Sequence, residues 1–373
     1  MVNLSLAANT KIPLIADLLI RSGHVTEVIS PGEIVQHHFR YFRGFDESMP
    51  APRGVREYYA SALPIRRLNG LWAMFSTTRL FKARHRTAPF DIVIIYNMKP
   101  GHIACANYAV RRLGLPVILD YEDCSFVNVR GETENGIVAR YQRSLYSDLL
   151  KHISACVAVS PYLLSQVPVH TPKLLLRGVV GEEYGEIGRY ALSARKDWIV
   201  FSGTHSKTKG LDKLIMAWRQ TDLTGWELHI AGHGEETAAL KKAAEGANGI
   251  VFHGLLNRLE NAQLLGSAKI AINPHEVSGV PGNVFAFKII ESLAAGNHVI
   301  TTRMGDLEPE IEAGVTYLPD NRPETIAEVL KRVVRDRLYV RRADLAANER
   351  YGAGGASKSL KNLLQQAVSA NGR

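Results

Sequence analysis

Residues 270–302 constrain the chain most. Ile270, Ala271 and Ile272 form a run too short and too apolar for anything but an interior strand. Pro281 and Gly282 break the chain, and residues 284–295 carry helix formers with apolar positions at helical spacing. Gly296 falls where a left-handed residue closes such a helix, and residues 299–302 read as a second buried strand. Two buried strands joined by a loop and a helix fit a parallel α/β sheet and little else. Inside this apolar helix stand Lys288 and Glu291, three apart and so on one face. The plain reading is an exposed ion pair worth roughly 0.2–0.5 kcal/mol. The functional reading is an anion held at the loop before the helix, with the acid reaching a hydroxyl.

The same rhythm runs through the rest. In the first half, strands are expected at residues 2–7, 25–30, 91–96, 116–119, 155–160 and 174–176, with helices at 12–21, 102–113 and 133–151. Residues 31–63 read as a long connection with little regular structure. In the second half, strands at 198–201, 226–231, 250–253 and 316–318 alternate with helices at 211–219, 236–246, 261–267 and 323–334. A last helix spans 357–368. A length of 373 residues suits two domains. The expected division is 1–180, a linker rich in Gly, Glu and Tyr at 181–195, a second domain at 196–352, and a C-terminal helical segment at 353–373.

Parallel sheets bind ligands at the carboxyl ends of their strands, so the loops there hold the candidates. Asn9 and Thr10 lie in the first such loop, where an ordinary turn is an equal reading. Asp120-Tyr121-Glu122-Asp123 follows the strand at 116–119. Glu122 or Asp123 there could orient a hydroxyl or act as a base, or favour a helix start. Gly203, Thr204, Lys207 and Lys209 lie between a strand and a helix, where close backbone and ammonium groups suit a diphosphate. The spacing is not that of a Walker loop.

Composition excludes more than it selects. Hydrophobic content of 46% and charged content of 22% are ordinary for a globular chain. There is no apolar run of about eighteen residues to cross a membrane. The start lacks the basic region of a signal peptide. Cys105, Cys124 and Cys156 have neither disulfide nor zinc spacing, which suits a cytoplasmic location. The net charge of +9 favours acidic partners. Between residues 51 and 90 stand Arg53, Arg56, Arg66, Arg67, Arg79, Lys82, Arg84 and Arg86 against the single acid Glu57. A helix at 64–79 with Leu68, Leu71, Trp72 and Phe75 on one stripe makes 64–86 a candidate for an anionic membrane surface. The alternative is a helix docked on the core with a solvated basic end. No nucleic-acid module accompanies the charge.

Taken in order, five motifs carry a resemblance: Ile199-Val-Phe-Ser-Gly-Thr with Lys209-Gly-Leu; Leu228-His-Ile-Ala-Gly-His-Gly; Val251-Phe-His-Gly-Leu-Leu; Ile270-Ala-Ile-Asn-Pro; and Phe287-Lys-Ile-Ile-Glu-Ser-Leu-Ala-Ala-Gly with Val299-Ile-Thr-Thr. Together the chain resembles the GT-B glycosyltransferases, in particular the retaining family 4. The resemblance implies an α/β fold of two facing Rossmann-like domains with parallel sheets and a C-terminal helix crossing back to the first. It implies a nucleotide-sugar donor on the second domain and a glycan or lipid-linked hydroxyl acceptor on the first. It implies no metal and no cofactor beyond that substrate.

Carried over by residue, Glu291 would bind the ribose and Lys209 the diphosphate. Asn283, Val284 and Phe285 would face the phosphates and sugar, and His253 to Leu256 would lie beside the base. Three departures stand out. Asn283 occupies the position eight before Glu291 where the family often has an acid. The arginine usually preceding the lysine is absent, leaving Thr204, His205 and Lys207 nearby. Glu122-Asp123 stands where many members carry His-Asp. The expected activity is sugar transfer with retention, in bacterial cell-envelope or exported glycan assembly, by an enzyme peripheral to the inner face of the cell membrane. A nucleotide-sugar 2-epimerase and a catalytically silent nucleotide-sugar or glycan-binding protein are the alternatives.

Overall fold

The computed structural model describes residues 6–31, 41–49, 54–63, 65–122, 137–277 and 286–371. The chain divides into two compact units, Met1–Val179 with Ala356–Arg373, and Val180–Gly355.

The first unit contains α1 (Leu6–Arg21), β1 (Glu27–Ser30), β2 (Phe45–Ser48), β3 (Arg56–Tyr59), α2 (Arg66–Thr87), β4 (Val93–Tyr96), α3 (Pro100–Leu113), β5 (Val117–Tyr121), α4 (Ile137–Leu150), β6 (Ala155–Ala158), α5 (Pro161–Ser165) and β7 (Lys173–Leu175). Strands β4-β5-β6-β7 form a parallel sheet in sequence order. β5 and β6 are buried at every position. A strand covered on both faces needs a continuous apolar run, which is what these segments are. Gly114 closes α3 with φ +64, a conformation only glycine adopts cheaply.

Several expectations fail here. The strand expected at 2–7 fails at its end: Leu6 and Ala7 are already helical, and residues 1–5 lie outside the described residues. Asn9 and Thr10 therefore sit within a helix and not in a strand-to-helix loop. The cause is that Leu6–Ala8 and residues 12–20 are helix formers without a turn between them; Pro13 is accommodated inside the helix. Nor is 31–63 without regular structure. β3 pairs parallel to β1 and antiparallel to β2, with Tyr59 stacked on Phe45 at 4.4 Å. In α2 the buried face is Ala73, Ser76, Thr77 and Phe81. Of the stripe Leu68, Leu71, Trp72 and Phe75, Leu68, Leu71 and Phe75 point outward, each close to half or more exposed, while Trp72 is half-buried and donates to Ser61 Oγ (3.2 Å).

The second unit contains α6 (Glu182–Gly188), β8 (Lys196–Ser202), α7 (Leu211–Arg219), β9 (Glu227–Ala231), α8 (Thr237–Ala244), β10 (Ile250–Gly254), α9 (Arg258–Ser267), β11 (Ala268–Asn273), α10 (Lys288–Ala294), β12 (His298–Thr302), α11 (Pro309–Glu312), β13 (Val315–Leu318), α12 (Pro323–Arg335) and α13 (Asp344–Tyr351). Its six strands are all parallel in the order β10-β9-β8-β11-β12-β13. On α7, Leu211, Leu214, Ile215 and Trp218 recur at helical spacing and are buried together with Ile199, Phe201 and Ile230 of the sheet. The segment expected as a linker, 181–195, is instead part of this unit. Tyr184 and Ile187 of α6 are buried, and the Arg195 guanidinium donates to the carbonyls of Ala268 and Ala295. Its Gly, Glu and Tyr content concealed an amphipathic turn. The helix expected over 284–295 is described only as α10, since 278–285 lie outside the described residues. α13 was not among the expected helices.

α14 (Ala353–Asn371) lies mostly in the first unit, where Leu360, Leu363, Leu364 and Ala367 are buried. Ser357 Oγ stands 3.1 Å from Ser22 Oγ at the end of α1.

Candidate functional site

In the second sheet the chain steps from β8 outward to β10, then returns to add β11 on the other side of β8. The loops after β8 and β11 thus diverge at a topological switch point, where an open parallel sheet leaves a crevice. Glycines let those loops approach. At Gly210 (φ +67) a Cβ would fall on the carbonyl of Pro274, and at Gly232 (φ +125) on the carbonyl of Gly203.

Lys209 spans the switch point. From a single 3-10 turn after β8 its Nζ reaches 2.8 Å from His275 Nε2, just beyond β11. His275 Nδ1 lies 2.7 Å from the Glu276 carbonyl, so that nitrogen carries the proton and Nε2 accepts from the ammonium. Burial, then the Lys209 charge, holds the His275 imidazole down at about 4. Burial also lowers Lys209.

Glu291 stands one turn along α10. The residue keeps some accessible surface, but its carboxyl lies deep enough that burial raises it to about 7. Glu183 adds to that rise, while Arg258 and Lys288 oppose it. Glu183 and Arg258 form an ion pair beside it. A polar chain completes this wall: Ser202 donates to Asn261 (2.6 Å), and Asn261 donates to the buried Tyr184 hydroxyl (3.0 Å). Asn257 and Glu260 close a capping box that fixes the start of α9, and with it Arg258 and Asn261. The exposed ion pair that is the plain reading of Lys288 and Glu291 does not form. Lys288 Nζ is buried, without a hydrogen-bond partner among the described residues.

The remaining expected residues divide. Gly203 follows β8 with its N–H donating to Ala231 (3.1 Å), whereas Thr204 and Lys207 are exposed. His253 is occupied: it lies 2.8 Å from His229, which stacks on Trp198 and approaches Glu227 at 3.1 Å. Leu256 is half-buried beside an exposed Leu255. Asn283, Val284 and Phe285 lie outside the described residues, as does Asp123. In the first unit, Glu122 directly follows β5, where the Tyr96 hydroxyl donates to its carboxylate and its own N–H donates to Asn97 Oδ1 (2.7 Å). Asn97 takes φ +56 to do so, a conformation Asn tolerates better than most. Asp120 is 2% exposed, within the strand and not at its end.

His275, Tyr184, Asn261, Glu183 and Arg258 were missed. His275 lies two residues past the end of an interior strand and carried a positional signal. The others come from a segment read as a linker and from a helix whose inner face was unassigned. On the first unit, the exposed face of α2 meets α3 along a groove of about 880 Å³ lined by Leu71, Phe75, Arg79, Lys82, Arg86 and Tyr108. Among the described residues, no helix is long and apolar enough to cross a membrane.

A family model described as "Glycosyl transferases group 1" matches residues 196–336, and one described as "Glycosyl transferase 4-like domain" matches residues 8–170. A GDP-mannose-dependent alpha-(1-6)-phosphatidylinositol dimannoside mannosyltransferase of Mycobacterium tuberculosis is 34% identical over 180 residues. That match spans 46% of this chain and 45% of the relative, so less than half the relative's length is matched. Among solved structures, sucrose-phosphate synthase from Thermosynechococcus elongatus superposes with TM-score 0.69 at 15% identity, covering 95% of this chain and 92% of the other. A glycosyltransferase from Rickettsia africae gives 0.66 at 15%, covering 97% and 95%. HepE of Anabaena, solved with UDP, gives 0.63 at 13%, covering 84% and 86%. These likenesses establish a GT-B fold.

Proposed function

The chain belongs to the GT-B glycosyltransferases, with a 4-like domain followed by a group 1 domain, and from that premise we propose that it transfers a sugar from a nucleoside-diphosphate donor to a hydroxyl acceptor with retention. The observation that carries this reading is the Lys209–His275 bond across the switch point of the second sheet. There a half-buried ammonium is available to an anion. Its main chemical task is to stabilise charge developing on the departing diphosphate, and a preorganised cation in a low-dielectric site does that well. Glu291 binds the ribose hydroxyls one turn along α10, and Glu122 on the first unit serves the acceptor hydroxyl. The reading invokes no separate cofactor.

The mannosyltransferase relative supports GDP-mannose as the first donor to try and a lipid-linked acceptor. The outward stripe Leu68, Leu71 and Phe75, bordered by Arg79, Lys82 and Arg86, supports seating on an anionic lipid surface. Bacterial envelope glycan assembly at the inner face of the membrane is the setting that fits both. The test is incubation of the enzyme with GDP-mannose or UDP-glucose, with and without a membrane lipid extract. Sugar transferred to lipid, with the nucleoside diphosphate released, is the expected result. An epimerised sugar nucleotide formed without acceptor, or binding without product from any acceptor pool, overturns it.

A further inference from the structure

We propose that Lys288 is a second cation of the diphosphate site, closing on the phosphates from α10 opposite Lys209; this rests on the donor reading above. The side chain does not behave as a structural lysine. Buried lysines are paired or they pay for desolvation, yet Nζ of Lys288 has no hydrogen-bond partner among the described residues. Glu291, one turn away, forms no ion pair with it. The Phe201 ring, 4.0 Å from Nζ, supplies a cation–π contact and no acceptor. Among the described residues nothing takes its three N–H donors.

Its position says what that is. Gly203 borders Nζ so closely that a Cβ there would come within 3.2 Å of it. The bare backbone after β8 therefore keeps the space in front of the ammonium open. His275 feels both lysines, and Lys288 feels Lys209, so the three groups share one crevice. Burial first and the Lys209 charge second push Lys288 well down, so the amine costs least when an anion arrives to hold the proton on it. Two converging ammonium groups match a ligand with two anionic centres better than a monoanion. Glu291 on the same helix then reads the neighbouring hydroxyls, and α10 carries both contacts three residues apart.

The test compares wild type, Lys288→Met, Lys288→Gln and Lys209→Met by calorimetric titration with GDP, UDP, guanosine and uridine. Wild type is expected to hold a diphosphate more tightly than its nucleoside. Lys288→Met and Lys288→Gln are expected to lose about tenfold to hundredfold of that margin, with nucleoside affinity unchanged. Lys288→Met is also expected to melt higher than wild type, because it replaces an unpaired buried amine by an apolar chain of similar length. A merely structural lysine would give the reverse, a lower melting point with the margin intact. If the Lys288 variants keep the margin while Lys209→Met loses it, the inference fails and the donor reading stands. If wild type binds neither diphosphate, the donor reading fails and Lys288 falls with it.

Discussion

Lys209 Nζ and His275 Nε2 are 2.8 Å apart across the switch point of the second sheet, and the imidazole is the acceptor. Because Nδ1 is committed to the Glu276 carbonyl, the ring cannot turn away. His275→Phe keeps an aromatic ring but removes the acceptor that aims the ammonium. Diphosphate affinity is expected to fall about tenfold, with nucleoside affinity unaffected, as one charge-assisted hydrogen bond implies. Titration of both ligands against the variant checks it. Unchanged diphosphate binding would mean the lysine is aimed by something else.

Glu291 gives a pH signature. Its folded carboxyl titrates near 7, chiefly through burial, against an ordinary value of 4.5. Between those values the folded protein keeps a proton that the unfolded chain has lost, so stability falls as pH rises through the window. Above pH 7 the ionised form carries the full cost, up to roughly 3 kcal/mol. Glu291→Gln should therefore match wild type near pH 4 and exceed it at pH 8 in urea unfolding, while binding nucleosides more weakly. Parallel stability profiles for the two proteins would refute the buried-acid account.

The segment around Glu291 also shows how far a sequence reaches. The buried strands β5, β6, β11 and β12 were legible because a strand covered on both faces must be apolar throughout. Motif order singled out Glu291 and Lys209, which the structure places on α10 and at the switch point. The helical state of Asn9 and Thr10 was not, since a short apolar run cannot be told from a helix by periodicity. Lys288 looked like half of a surface ion pair, because spacing along a helix says which side chains are neighbours and nothing about what covers them. His275, Tyr184 and Asn261 become part of the site only through the order of strands in the sheet, a long-range property that local pattern does not carry.

Gly232 tests the close approach of loops. Its φ of +125 and the Gly203 carbonyl in the place of a Cβ make Gly232→Ala doubly unfavourable. A loss of about 2–4 kcal/mol is expected from backbone strain plus the displaced loop, together with weaker diphosphate binding. Gly225→Ala is the control. It has φ +83 but open space around it, so it should cost only about 1–2 kcal/mol and leave binding alone. Denaturant midpoints and titrations of the two variants separate strain from steric displacement.

His298 should shape the acid limb of stability without touching the site. It is 1% exposed at the start of β12, with Nε2 2.8 Å from Thr316 Oγ1 and Nδ1 3.1 Å from the Arg341 carbonyl. Burial, helped by the Arg341 charge, lowers it to about 4. An unfolded histidine takes up its proton near 6.5, so the stability that neutral His298 supports is present above that value. It is lost as pH falls toward 4. The shift corresponds to roughly 3 kcal/mol. His298→Gln cannot ionise; it should be less stable than wild type at pH 7.5 for want of the ring's packing, and lose less on going to pH 4.5. The check is the difference between the two urea midpoints at each pH. A gap that stays constant would show that His298 does not titrate in that window.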